Sequence, residues 1–392
     1  MAKGQPARSS SPGDVWAATM QGSTSQSGIV VAHGLDGRPR ATASLVDRQA
    51  REDAEELVLT PGATRAKGAG TRAMPEGADP LRTCFERDRD RILHSSAFRR
   101  LAGKTQVFVF PRDHQRTRLT HALEVAQVAT AVARATGLNV SLTEAIALGH
   151  DCGHGPGGHA SEEAFTPYLA EGYNHAIWGA DVVLAPLNLC QETLDGIRHH
   201  SWSLPNPSTP EGAVVSWADR CAYCAHDLED AAGVGIVDPA DLPAEVAEVA
   251  GTTRARQLNC FINALVEAIV TTGEIGMAAR YAQALAALRE FNYDRIYTRP
   301  ESVAQGRAVV SVLSALVEFF VSHPERVSPS TGRAAPEDNT AQMRSTDVGL
   351  VRRAITYVAG MTDRFAFAMA VDLLGWDPAR LPRGIDAVGG AL

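Results

Sequence analysis

From about residue 80 onward, apolar side chains recur at helical spacing and almost nowhere alternate as a half-buried strand requires. Helical patterns cover 116–136, 142–151, 175–190, 191–200, 211–232, 241–271, 274–291, 301–322 and 345–374. Leu119, Leu123, Ala126, Val128 and Val132 form one stripe, and Gly137 is a natural stop for it. Ser141 and Glu144 have the spacing of a capping box opening the next helix. Pro-rich stretches at 203–212 and 323–339 read as loops, and only 105–110, TQVFVF, reads as a strand. The predicted class is therefore all-α. Residues 1–75, rich in Gly, Ser, Ala, Pro and Arg, read as a flexible extension with a brief helix near 46–58. A core is expected over 76–240, with a C-terminal helical part over 241–392 packed on it.

Charge and composition narrow the function classes. A net charge of −8 argues against a broad nucleic-acid or membrane-surface binder. No apolar run is expected to reach the ~18–20 residues of a membrane helix, and the N-terminus lacks a signal-peptide core. Six cysteines without a repeating framework point to reduced thiols and a cytoplasmic location. Cys221 and Cys224 form a lone CxxC inside a helical pattern, which reads as packing.

The helical pattern breaks at residues 149–160, GHDCGHGPGGHA, with five glycines, one proline, three histidines and an aspartate. His150 and Asp151 fall at a helix end, flanked by Gly149 and Gly153. Adjacent helical side chains point about 100° apart, so both reach one ion only where the helix ends or bends. His121 and Asp219, each on another helical segment with a buried-looking face, are candidate partners. A helical bundle brings such side chains together in its core. Two imidazoles and two carboxylates suit a divalent Mn, Mg, Fe, Zn or Ni ion. A zinc-protease reading of HDCGH fails, because that motif needs a continuous helix and Gly153, Gly155 and Pro156 interrupt it.

Four segments in order, DRDRILHSSAFRRLAGKTQVF, RTRLTHALEVAQ, AIALGHDCGHGPGGHASEE and ADRCAYCAHDLEDA, resemble the HD-domain phosphohydrolases, most closely the deoxyguanosinetriphosphate triphosphohydrolase-like branch. The likeness spans roughly residues 80–232. It implies an HD-domain helical bundle with additional C-terminal helices. It also implies metal-dependent hydrolysis of a deoxynucleoside triphosphate to deoxynucleoside and tripolyphosphate. The implied metal ligands are His121, His150, Asp151 and Asp219. The implied catalytic residues are His159, oriented by Glu162, and His154. Arg118, Arg220, His175, Tyr223 and Asp227 are implied to contact substrate, the last two at the sugar. A nucleotide activator and a homo-oligomer are further implications, and no membrane is.

Several features leave alternatives open. Arg99, Arg100 and Lys104 read as a solvated or interface face as readily as a nucleotide contact, and the two histidines of IRHHSW are unassigned. The turn departs from the family pattern at Cys152, Gly157 and Gly158, which predicts a looser turn. The rival functions are another HD phosphohydrolase, such as a 5′-nucleotidase or phosphodiesterase, and a catalytically silent nucleotide-binding regulator.

Overall fold

The computed structural model describes residues 11–19, 22–111, 114–327 and 347–382. Parts of the expected N-terminal extension (1–10, 20–21) and of the 323–339 loop lie outside the described residues. The chain divides into two compact units, residues 1–46 and 47–392. The first holds helix α1 (Pro12–Thr19) and a two-stranded antiparallel ribbon, β1 (Ser23–Thr24) with β2 (Val30–Val31).

Among the described residues, the regular elements of the second unit are helices. It runs α2 (Arg48–Val58), α3 (Cys84–Leu93), α4 (Ser96–Arg100), α5 (Arg118–Thr136), α6 (Val140–Gly149), α7 (His159–Phe165), α8 (His175–Trp178) and α9 (Gln191–Arg198). It continues with α10 (Pro210–Gly233), α11 (Ala244–Val249), α12 (Arg254–Thr272), α13 (Ala279–Asn292), α14 (Pro300–Ser322), α15 (Asp347–Ala359) and α16 (Asp363–Leu374). The protein is an all-α protein.

Two apolar cores carry the second unit. In one, α5, α6 and α10 pack on one another and on α3, α9 and α12. Ala122, Val125, Val128, Ala129 and Val132 of α5 are fully buried there, whereas Leu123 is exposed. The burial stripe thus follows the 122/125/129/132 face, shifted from the one expected. In the other core, α14 packs against α7, α15 and α16 through Val309, Val312, Leu313, Leu316, Val317 and Phe320. By length and composition alone α14 is apolar enough to cross a membrane, contrary to expectation, but these six side chains are buried inside the unit.

Residues 47–75 belong to the second unit, where Ala63 and Ala66 join the core and Thr64 hydrogen-bonds buried Glu211 through its backbone N–H (3.0 Å) and hydroxyl (2.7 Å). Three further local expectations are corrected. Residues 105–110 form no strand; a lone bridge pairs Thr105 with Thr117, and the backbone N–H of Thr105 is taken by the Asp363 carboxylate at 2.9 Å. Helix α6 is capped by Asn139, whose side chain accepts from Leu142 N at 3.1 Å, rather than by Ser141. The glycine turn is dense, not loose: residues 149–158 are all buried. A Cβ at Gly153 would lie 2.0 Å from the His175 carbonyl oxygen. Gly137 does close α5 in the left-handed region, with φ 71°.

Candidate metal centre and cleft

Three helices deliver the central side chains. The first turn of α5 presents Arg118 and His121, the end of α6 presents His150 and then Asp151, and the middle of α10 presents Asp219. His150 Nδ1 donates to the Ala147 carbonyl at 2.7 Å. That bond fixes the tautomer, so Nε2 offers its lone pair inward. This Nε2 has no hydrogen-bond partner and lies 3.5 Å from Asp151 Oδ1 and 3.6 Å from Asp219 Oδ1. His121 Nε2 is 3.0 Å from Asp219 Oδ1 and 3.8 Å from Asp151 Oδ2.

These residues fit a metal ion. Bonds of about 2.0–2.2 Å to N and O ligands place neighbouring ligand atoms roughly 3–3.5 Å apart. The four side chains already stand close to that spacing, and His121, His150 and Asp219 alone bring their ligand atoms within 4.8 Å of one another. The electrostatics agree. Burial alone would neutralise His150, yet Asp151 and Asp219 override it and push the imidazole up to about 9. Burial likewise opposes ionisation of Asp151, but His150 and Arg118 hold it well below the usual carboxylate range. The cluster thus gathers positive charge, the role a divalent cation fills.

Around this centre the chain sets a second layer. The buried Arg118 donates from Nη1 to Asp151 Oδ2 at 2.7 Å. Its guanidinium fills the space above Gly158: a Cβ there would meet Nη2 at 2.6 Å, and Gly158 has φ +62°. The bulky residue expected by family pattern is therefore replaced by glycine plus arginine. His154 stacks on His175 with ring centroids 3.7 Å apart, and its Nε2 is 3.2 Å from Asp151 Oδ1. Burial, reinforced by Arg118, holds His154 well below the ordinary imidazole range.

Glu162 serves two histidines. Its Oε1 accepts from His175 Nδ1 at 2.7 Å and from the His175 backbone N–H at 2.8 Å. Its Oε2 faces His159 Nδ1 at 3.4 Å. Burial works against its ionisation, but the bonds from His159 and His175 prevail and hold it far below the usual range. Glu162 is thus tied more tightly to His175 than to the exposed His159, which stands at the cleft rim.

The centre opens into a cleft of about 830 Å³. Arg220 lies over the Trp202 ring, 3.4 Å from its centroid, rather than against Asp219. Tyr223 accepts from Arg289 Nε at 3.0 Å. Buried Asp227 accepts from the Tyr297 hydroxyl at 2.5 Å, and burial raises its carboxyl to about 7. The structure brings all twelve expected site residues together except Glu162 and His150, which stand just behind the cleft surface as partners of lining residues.

Sequence reasoning passed over several lining residues. Arg289, Tyr293, Tyr297, Arg299 and Arg307 come from α13, the segment after it and α14. Their signal was the Arg/Tyr-rich run from 289 to 307. His200, at the foot of α9, is buried beside the metal centre; burial and the neighbouring His150 lower it to about 3. Lys104, read only as a surface or nucleotide contact, is buried and donates to the carbonyls of His154 and, at 2.9 Å, of Ala359. Asp363 completes that support: it accepts from Thr105 N and, through its other oxygen, from Gly157 N, both at 2.9 Å. Cys221 and Cys224 are buried free thiols, as packing requires.

Comparison with known proteins agrees with this geometry. Residues 118–224 match the HD domain, and residues 275–371 match the phosphohydrolase-associated domain. A deoxyguanosinetriphosphate triphosphohydrolase-like protein of Caldanaerobacter subterraneus subsp. tengcongensis is 37% identical over 326 residues, covering 81% of this chain and 93% of that protein. Proteins of the same name from Clostridium tetani (33% identical; 82% of this chain, 94% of that one) and Desulfatibacillum aliphaticivorans (36%; 81% and 95%) are similar to it. A crystal structure of a hypothetical protein from Aquifex aeolicus matches with a TM-score of 0.40 and 17% identity, over 73% of this chain and 68% of that one. The chain belongs to the deoxyguanosinetriphosphate triphosphohydrolase-like family and is a metal-dependent HD-domain phosphohydrolase.

Proposed function

We propose that this HD phosphohydrolase cleaves deoxynucleoside triphosphates at the α-phosphorus, releasing deoxynucleoside and tripolyphosphate. One observation carries the reading: His121, Asp151 and Asp219 of the cluster and five arginines, Arg118, Arg220, Arg289, Arg299 and Arg307, line the same cleft. A triphosphate brings about four negative charges, and guanidinium groups bind phosphate oxygens in paired fashion. The cleft volume admits a nucleotide with its phosphates.

His121, His150, Asp151 and Asp219 would hold the cation, which supplies Lewis-acid polarisation of phosphate oxygens. Arg118, fixed by Asp151 and by the absence of a side chain at Gly158, is pre-aimed at a phosphate beside the centre. His159 is the proton carrier: it is exposed at the rim, where the leaving 5′-oxygen would stand, and Glu162 steadies its Nδ1. His154 and His175, stacked on each other, orient toward the phosphates. Tyr223 and the Tyr297–Asp227 pair form the sugar end, where a close-packed ring leaves little room for a 2′-hydroxyl.

The test uses the purified chain with each deoxynucleoside triphosphate, GTP as a ribose control, and Mn²⁺ or Mg²⁺. Deoxynucleoside with intact tripolyphosphate supports the proposal. A shortened nucleotide with orthophosphate or pyrophosphate favours another HD phosphohydrolase. Tight binding without turnover favours a silent regulator.

A further inference from the structure

Arg220 follows Asp219 on α10, yet an aromatic ring holds it rather than a carboxylate. Asp219 Oδ1 is turned to His121, at 3.0 Å, and to His150, at 3.6 Å. Among the described residues no carboxylate pairs with the Arg220 guanidinium; its central carbon stands 3.4 Å from the centroid of the Trp202 ring. At that distance a planar cation lies against the face of the ring. Its N–H groups then point sideways out of the stack and stay free to donate.

Trp202 is itself fixed. Its Nε1 donates to the Ser216 carbonyl at 3.1 Å, and Ser216 sits one turn before Arg220 on the same helix. The Ser216 hydroxyl donates to the His200 carbonyl at 2.5 Å, which pins the chain around Trp202 to α10. Trp217 meets the Trp202 ring edge-on, with centroids 4.5 Å apart, and donates from its own Nε1 to the Ile275 carbonyl at 3.1 Å. Trp202 nevertheless keeps 46% exposure and lines the cleft beside Arg220. An anchored ring left open to the cleft is a platform rather than core filling.

We propose that Trp202 positions Arg220 for phosphate: the ring carries the guanidinium by its face and presents the N–H edge to the triphosphate beside the metal centre. A free arginine gives up rotamer freedom when it binds an anion, and one already stacked gives up less. An ion pair would also hold the side chain, but it would occupy the donors and neutralise the charge. The inference rests on the cleft taking phosphate, as proposed above, and it gives the tryptophan of IRHHSW a role.

Tripolyphosphate and deoxyguanosine, each with Mn²⁺, are the probes; their Kd values are read by calorimetry on the full chain, alongside turnover of deoxynucleoside triphosphates. Trp202→Leu is expected to weaken tripolyphosphate binding ~5–10-fold, and Trp202→Phe, which keeps a ring, ~2-fold. KM for the triphosphate should rise in step while kcat falls less. Arg220→Ala should weaken tripolyphosphate binding at least as much as Trp202→Leu does. Adding Trp202→Leu to Arg220→Ala should then cost less than about a further twofold, because the ring acts through the arginine. Thermal melts identify a variant that fails to fold, and Trp202→Phe then carries the comparison. Losses that multiply in the double variant, or a Trp202→Leu loss confined to deoxyguanosine, overturn the positioning role. Tripolyphosphate bound through Arg220 and Trp202 with no deoxynucleoside released keeps this inference and removes the cleavage reading. Deoxynucleoside release without tripolyphosphate binding does the reverse.

Discussion

The two walls of the cleft are built on opposite terms. On the α5–α6–α10 side, His121, His150, Asp151 and Arg118 are buried, and each has an assigned partner in the fold. On the α13–α14 side, Arg289 and Arg307 are exposed, and Arg299 pairs with Glu301 at 3.3 Å. A buried charge without a partner is costly, so the first wall tolerates few residue choices and few positions. An exposed guanidinium reaches phosphate from many positions along a helix, so the second wall is free to vary. The first wall is chemistry held rigid; the second is charge held in reach. Asp363, the first residue of α16, ties the 105 loop to the glycine turn.

The contrast breaks if the walls respond alike to substitution. The largest effect is expected from Asp219→Ala: activity falls ~10³-fold or more and the cation of the His/Asp cluster is lost, measured by steady-state kinetics and elemental analysis. His159→Ala is expected to lower kcat by ~10²–10³-fold while metal content stays normal. Full activity in that variant would remove His159 from the proton-transfer role.

Asp363→Ala leaves two backbone N–H groups and the Thr105 hydroxyl without their acceptor. It should destabilise the fold by ~2–4 kcal/mol in urea unfolding, with a drop in kcat. Alanine at Arg299 or Arg307 should raise KM by ~10-fold with kcat and metal content little changed, which sharpens the distinction between the walls.

The smallest effect concerns pH. Burial raises the Asp227 carboxyl from 3.8 to about 7. The folded protein therefore keeps a proton there that the unfolded chain releases. The stabilisation is complete below about pH 4 and fades as pH rises through about 7. Asp227→Asn should flatten that part of the stability–pH curve in thermal melts at a series of pH values.

How much of this was legible in the sequence follows the same division. The HD pair and its partners stood out because a helix end packed with His, Asp and Gly has few purposes, and two further helical segments offered His121 and Asp219. His200, buried beside the metal centre, did not stand out, because a histidine ending a short helix carries no spacing signal. The arginines of the far wall left only the Arg/Tyr-rich run from 289 to 307 as a signal, because exposure permits charge anywhere. The TQVFVF alternation suggested a strand, but a strand needs a neighbour, and here the backbone of Thr105 is claimed by Asp363. The S-x-x-E spacing at Ser141 lost to Asn139, two residues earlier, while Glu144 lies 3.6 Å from Arg89. Glycine suggested looseness at Gly158, where the side chain of Arg118 fills the space instead.

The central claim is attack of water at the α-phosphorus in a cleft that holds a whole triphosphate. Hydrolysis of dGTP in H₂¹⁸O, with products resolved by mass spectrometry, tests it directly. One ¹⁸O atom in intact tripolyphosphate and an unlabelled deoxynucleoside are expected. Label in orthophosphate or pyrophosphate, or in the deoxynucleoside hydroxyl, would contradict it.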